Sequence, residues 1–238
     1  MKKGERVPLT IADYDREKGS TTFVSNEVGK TTKQLGLMKK GECIWNITGP
    51  LGNPSEIRNF GKLLCAAGGV MIAPMLLQVK ALREAGNTVV TVIGARIRDL
   101  LFFKEEMKAL SHRLYVATDD GSEGYKGLDF LKDILAEEKF DRGVAMGPVP
   151  MPQKVCELTR PYMIPTIVTL LPIMVDGMGM CGACRVNIGG QMKFACVDGP
   201  EFDGHLVDFE QLIKRQRIFL PEERLSALLW ELGGVSFG

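Results

Sequence analysis

Asp176, Cys181, Cys184 and Cys196 stand in the order Asp-x4-Cys-x2-Cys-x11-Cys. A plant-type [2Fe–2S] site uses Cys-x4-Cys-x2-Cys and a distant fourth Cys, so Asp176 takes the first ligand's place. The residues between the ligands are small: Gly177, Gly179, Gly182 and Ala183. They let the backbone fold around a cluster and turn its N–H groups toward the sulfides. Cys196, in Lys193-Phe194-Ala195-Cys196, is expected from a returning strand. Such a centre handles single electrons. On the residues alone other readings stay open. Three thiolates and a carboxylate also suit a tetrahedral zinc, although zinc sites usually pair two Cys-x2-Cys knuckles and one is present here. A Cys181–Cys184 disulfide would suit a secreted chain. Asp176 could be a solvated turn residue, with the fourth ligand drawn from Cys156 or elsewhere. As a ligand, its hard carboxylate oxygen would give a potential different from that of an all-Cys site.

The second group of candidates is glycine-rich. Strand-like and helix-like patterns alternate from Lys62 to Leu170: strands over Lys62–Val70, Thr88–Ile93, Arg113–Ala117, Arg142–Met146 and Ile164–Leu170, and helices over Ala73–Ala85, Leu100–Leu110, Leu128–Glu138 and Gln153–Thr159. This alternation predicts a parallel sheet covered on both faces. Ligands of such sheets bind at the carboxyl ends of the strands. Those ends are Gly68-Gly69, Gly94-Ala95-Arg96, Thr118-Asp119-Asp120-Gly121 and Gly147-Pro148. Glycines at Gly68 and Gly69 would admit a dinucleotide's pyrophosphate to a helix start. Ordinary turn punctuation is the plainer explanation of any one of them. Arg96 and Arg98 could meet a 2′-phosphate or stand as surface charges.

Residues 7–54 carry short β-like runs, Pro8–Ala12, Thr21–Val24 and Ile44–Ile47, which suggest antiparallel strands of a small barrel. Gly29-Lys30-Thr31-Thr32 offers free N–H groups, two hydroxyls and one Lys to a phosphate, or a capped turn to solvent. It lacks the upstream Gly of a Walker motif. Arg6-Val7-Pro8-Leu9-Thr10 adds a cation and a hydroxyl along an extended segment. His112 and His205 have no triad-like partners and read as structural. Cys43 and Cys65 read as inert thiols in apolar strands, and Cys156 as the same on a helix. The tail, Phe209–Arg217 and Glu222–Trp230, reads as helical. Phe219, Leu220, Leu225, Leu228 and Leu229 are apolar candidates for docking a partner, or for packing on the subunit itself.

The 238 residues suffice for one large or two modest domains. With 30 Lys+Arg against 29 Asp+Glu the net charge is +1, so no basic field points to nucleic acid or to an acidic membrane surface. Six cysteines, three of them clustered, and a start without an apolar signal core point to the reducing cytoplasm. The longest apolar run, Met163 to Val175, contains two prolines and is too short to span a bilayer.

Gly4 to Asp13, Val28 to Thr32, Gly49-Pro50-Leu51-Gly52-Asn53-Pro54, the Gly68–Pro74 turn, Asp176 to Cys196 and Cys196 to His205 together resemble one family over nearly the whole chain. It is the small subunit of NADH-dependent reduced ferredoxin:NADP oxidoreductase, also known as sulfide dehydrogenase. The electron-transfer subunit of dihydroorotate dehydrogenase is its relative. The resemblance implies a flavin barrel over residues 1–54, a ferredoxin-reductase-type NAD(P) domain over 55–170, and a [2Fe–2S] module with a helical tail over 171–238. It implies that Arg6, Pro8, Leu9 and Thr10 flank FAD and that Gly29, Lys30, Thr31 and Thr32 hold its phosphates. It supports Asp176 as a ligand, since the family member bearing Asp at that position uses it as one, and because the dihydroorotate relative normally has Cys there, Asp176 favours the first subfamily. It further implies hydride exchange between NAD(P)H and FAD, and passage of single electrons to a large FAD/[4Fe–4S] partner subunit. That partner would carry out electron bifurcation and communicate with ferredoxin. Family members carry further residues ahead of the flavin motif, so a barrel incomplete at its N-terminus is expected. Met71 replaces a Gly of the dinucleotide turn, and its side chain is expected to crowd a pyrophosphate.

Overall fold

The computed structural model describes residues 5–232. They open on an antiparallel hairpin, β1 (Ile11–Asp15) and β2 (Ser20–Phe23), followed by helix α1 (Lys30–Gly36). The expected run from Pro8 becomes strand only at Ile11, in keeping with a proline that has no N–H for the ladder. Residues 37–61 hold no regular element, so the strand expected over Ile44–Ile47 does not form. Trp45 is 83% exposed there, and the apolar pattern finds no partner strand among the described residues. Cys43 lies exposed in the same stretch rather than in a core.

The alternating region builds β3 (Lys62–Gly68), α2 (Ile72–Glu84), β4 (Thr88–Ala95), α3 (Lys104–Leu110), β5 (Arg113–Thr118), β6 (Tyr125–Lys126), α4 (Leu131–Glu137), β7 (Arg142–Met146), α5 (Pro150–Thr159) and β8 (Thr166–Thr169). Then come β9 (Arg185–Ile188), β10 (Gln191–Phe194), β11 (Glu201–Asp203), α6 (Phe209–Gln216) and α7 (Leu220–Glu231). A seven-stranded sheet runs β11-β8-β7-β3-β4-β5-β6, parallel throughout except for β11. The helix expected from Leu100 is broken. A 3-10 turn covers Arg98–Leu100, and Phe103 takes a left-handed φ of 54° before α3 starts. α5 starts earlier than expected, at Pro150, where a missing N–H costs nothing.

Successive residues of β3 point to opposite faces. Leu63, Cys65 and Ala67 join Ile72, Met75 and Val79 of α2 in one core, whereas Leu64 and Ala66 join Val155 of α5 and Leu131 of α4 in the other. Cys184, Val186, Ala195 and Cys196 belong to that second core. The cysteine segment is therefore packed against the sheet and not appended to it. α6 closes this module: Asp208 accepts the Gln211 N–H at 2.9 Å as its N-cap, while Phe209 and Leu212 are buried. α7 returns toward α1, with Lys33 and Glu231 paired at 3.0 Å, and leaves Phe219, Leu225 and Leu228 about half exposed.

His205 fastens the module to α5. Its Nε2 lies 3.2 Å from Thr159 Oγ1, which meets Thr166 Oγ1 at 2.7 Å, and its carbonyl accepts from Arg160 Nη2 at 2.7 Å. Burial, and then the Arg160 charge, hold the imidazole below its ordinary value, against an opposing effect of Asp203. The unfolded chain takes up this proton at higher pH than the folded one. The neutral ring's contribution to stability is thus complete above about pH 6.5 and lost as pH falls through the folded value. Wild-type melting temperature is expected to fall below pH 6.5 more steeply than that of His205→Gln. Parallel profiles would show that His205 does not titrate against folding.

Candidate functional site

The returning strand β10 ends at Phe194, and Cys196 lies in the tight turn beyond it rather than on the strand. Val197 and Asp198 N–H both donate to the Phe194 carbonyl, at 3.1 and 2.8 Å, and the Asp198 carboxylate accepts the Phe194 N–H at 2.6 Å. Cys196 Sγ is thereby set 3.2 Å from Cys184 Sγ, both thiols buried and neither in a disulfide. Burial, followed by the neighbouring Cys184, pushes the Cys196 thiol up to about 11. Holding the Cys196 sulfur as a thiolate at neutral pH would therefore require a positive charge beside it.

Asp176 and Cys181 stand on the loop that approaches this pair. Asp176 Oδ1 accepts the Met178 N–H at 2.9 Å, and Oδ2 accepts those of Met180 and Cys181 at 3.1 and 2.7 Å. These bonds, Met178's first, hold its carboxyl below the ordinary range. Gly177, Gly179 and Gly182 all take positive φ (74°, 86° and 66°), which brings the loop back over itself. Among the described residues no three His, Cys, Asp or Glu side chains close on one metal position. The Cys184–Cys196 pair is assembled, whereas Asp176 and exposed Cys181 lie at the rim. The donor set fits an iron–sulfur cluster: two buried thiols facing each other, a third thiol, and a carboxylate on a glycine loop. Cys156 sits against Gly204, where an added Cβ would overlap its sulfur, and burial pushes its thiol up to about 12.

The predicted nucleotide glycines converge. Gly68 of β3 is in register with Gly94 of β4, and Gly147 follows β7 on the other side. A Cβ on Gly147 would lie 3.2 Å from Gly68 N and from the Met151 sulfur, and one on Gly94 would lie 3.9 Å from Met151 Cε. Gly69 turns the chain with φ +57° and has open space where a side chain would stand. The Met151 side chain lies over the other three glycines, where a Cβ on Gly68 would overlap its sulfur, so the open approach to this edge is at Gly69. Met71 does not crowd it, because the 3-10 turn Gly69–Met71 points its side chain into the α2 core, where it is buried. Asp119 and Asp120 continue the same edge, their N–H groups bonded to the Ala95 and Arg96 carbonyls at 3.1 and 3.3 Å. Pro148 and Arg96 are exposed there, while Arg98 pairs with Asp99.

The two segments expected to meet flavin lie side by side, since Glu5 N–H donates to Thr31 Oγ1 at 3.3 Å. Gly29 is the N-cap of α1, and the Thr32 hydroxyl bonds both its N–H and its carbonyl at 3.0 Å. The Thr32 hydroxyl is thus occupied within the turn and the Thr31 hydroxyl accepts from Glu5, leaving Lys30, Arg6 and the first-turn N–H groups for an anion. Arg6, Pro8 and Thr10 are exposed and Leu9 is half-buried. Asn53, Asp198, Arg215 and Met151 were not visible as site residues in the sequence. Asp198 had a readable signal, the turn-forming Asp-Gly-Pro after Cys196. Arg215, whose guanidinium donates to Ala183 O at 3.1 Å, had none.

Residues 172–208, which include all four candidate ligands, match the iron-sulfur cluster binding domain of dihydroorotate dehydrogenase B. The electron transfer subunit homolog of dihydroorotate dehydrogenase B (NAD(+)) from Thermotoga maritima is 51% identical over 227 residues, covering 94% of this chain and 80% of that protein. A probable electron transfer subunit of the same enzyme from Methanocaldococcus jannaschii is 37% identical over 215 residues, 88% of this chain and 82% of that one. Among solved structures, a chain of the NADH-dependent reduced ferredoxin-NADP oxidoreductase, studied for flavin-based electron bifurcation, superposes with a TM-score of 0.89 at 45% identity, covering 97% of this chain and 84% of that chain. Fold and site together define an oxidoreductase subunit of ferredoxin-reductase-like architecture with an iron–sulfur-binding domain. The chain belongs to the family of dihydroorotate dehydrogenase B electron transfer subunits and their homologues. No helix among the described residues is long and apolar enough to cross a membrane.

Proposed function

We propose that this chain is the electron-transfer subunit of a heteromeric, electron-bifurcating NAD(P)H oxidoreductase, working beside a larger flavin and [4Fe–4S] subunit and, through it, with ferredoxin. One observation carries the reading: β11, which directly follows the Cys196 turn, is the edge strand of the same sheet whose glycine ends would receive a dinucleotide. Cluster segment and nucleotide edge are thus parts of one core, at fixed separation. Asp176, Cys181, Cys184 and Cys196 would hold a [2Fe–2S] cluster. Gly68, Gly69, Gly94, Gly147 and Pro148 would receive the dinucleotide's backbone, with Asp119, Asp120 and Arg96 at its ribose end. Arg6 to Thr10 would flank FAD, and Gly29 to Thr32 would meet its phosphates. Bound flavin would supply the exchange between two-electron nicotinamide and one-electron cluster chemistry. The protein's own contribution is to orient these groups and, by burying Cys184 and Cys196, to keep water from one side of the cluster.

The Thermotoga and Methanocaldococcus relatives, a homolog and a probable member of the dihydroorotate dehydrogenase B electron transfer subunits, favour a second reading, in which the partner forms orotate. Asp176 in the first ligand's place speaks for the bifurcating one. Anaerobic purification from the native host, with identification of the copurifying chain, separates them. A stoichiometric flavin/[4Fe–4S] subunit is expected. An orotate-forming subunit would move the assignment to the second reading, and a catalytically complete monomer would overturn both.

A further inference from the structure

We infer that residues 51–55 form a strap that positions the Cys196 turn, with Asn53 as its positioning residue. The strap belongs to the N-terminal part of the chain yet lies along the cluster segment. Asn53 bonds that turn twice: its N–H donates to Gly199 O at 2.7 Å and its Nδ2 to Val197 O at 3.0 Å. Gly52, at φ +77°, brings the strap so close that a Cβ would stand 3.1 Å from Gly199 O and Pro200 Cδ, and 3.8 Å from Cys196 O. Leu51 lies under the other arm of the site, its Cδ1 3.0 Å from where a Gly177 side chain would begin. Ser55 Oγ then donates to Glu201 Oε1 at 2.6 Å, and Gln78 of α2 donates to the same oxygen at 2.9 Å. One short segment therefore ties together the Asp176 loop, the Cys196 turn and the helix that follows the nucleotide glycines.

Asn53 contacts no thiol. It acts through the two carbonyls that it holds, and these fix the Val197–Asp198 and Gly199–Pro200 peptide planes of the turn that the Asp198 carboxylate closes. The direction of those peptide dipoles and the solvent access of the sulfurs are what a protein uses to tune a cluster's potential. A strap that merely joined two parts of the fold would change stability and leave the cluster's properties alone.

The test uses the full chain, purified anaerobically with its partner, and it rests on the iron–sulfur reading above. Wild type without iron and acid-labile sulfide would defeat that reading first. With a cluster present in wild type, Asn53→Asp places a carboxylate oxygen against Val197 O in place of the donor at nearly unchanged size. The expected result is retained cluster with shifted EPR g-values and midpoint potential. Gly52→Ala, which pushes the strap away without altering its polar groups, is expected to shift both in the same way. Wild-type g-values and potential in both variants would overturn the inference, whatever happens to melting temperature. Should Asn53→Asp fail to fold, Asn53→Ala decides between the same two results.

Discussion

Cys196→Ser is expected to take the chain from about two iron and two sulfide per molecule to background. The residue is buried in the core shared with α5 and stands 3.2 Å from its neighbour sulfur, so no other donor replaces it without moving the turn. Serine is nearly isosteric, and the Asp198 and Asn53 bonds that shape the turn do not involve the Cys196 side chain. The fold should therefore survive and the loss report on ligation. Cys43→Ser, at an exposed position outside the segment, is expected to leave iron content unchanged. Full iron and sulfide in Cys196→Ser would remove Cys196 from the ligand set.

Gly124→Ala is expected to give a large loss of stability. Gly124 has φ +66°, and a Cβ there would overlap the Val116 carbonyl of β5. The left-handed backbone costs about 1–2 kcal/mol and forced overpacking about 1–3 kcal/mol. A total of about 3 kcal/mol corresponds to a melting temperature roughly 6–12 °C lower in a chain of this length. Gly124 also closes the loop whose Thr118 hydroxyl bonds Glu123 at both its carbonyl and its N–H, 2.9 and 3.1 Å away. That loop carries Asp119 and Asp120, which the proposed function sets at the dinucleotide, so on that proposal affinity for NAD(P)H should fall as well. Gly19→Ala shares the positive φ with nothing within 4 Å, and should show the backbone cost alone. Equal melting temperatures for the two variants would contradict this account.

The parallel sheet was legible because buried strands read as β-branched runs and the helices between them as periodic ones. Arg142–Met146 came out with its limits unchanged. What failed has physical causes. Ile44–Ile47 has a strand's composition, but pairing is a property of two segments and nothing among the described residues pairs with it. β6 and β11, of two and three residues, are too short to show a period. Phe103 interrupts a helical pattern through its own left-handed backbone, which no spacing rule anticipates. Met71 read as an obstacle because sequence places it in the turn. The 3-10 geometry decides that its side chain goes inward. The four ligand candidates were readable from spacing. Asn53, 144 residues from Val197, was not, since nothing local marks a contact made only after the chain has closed.

The claim on which the rest depends is that Asp176, Cys181, Cys184 and Cys196 hold a two-iron cluster. Iron, zinc and acid-labile sulfide measured on the anaerobically purified wild-type complex, with the contribution of the partner subtracted, test it most directly. The account predicts about two iron and two sulfide for this chain. One zinc and no labile sulfide would contradict it.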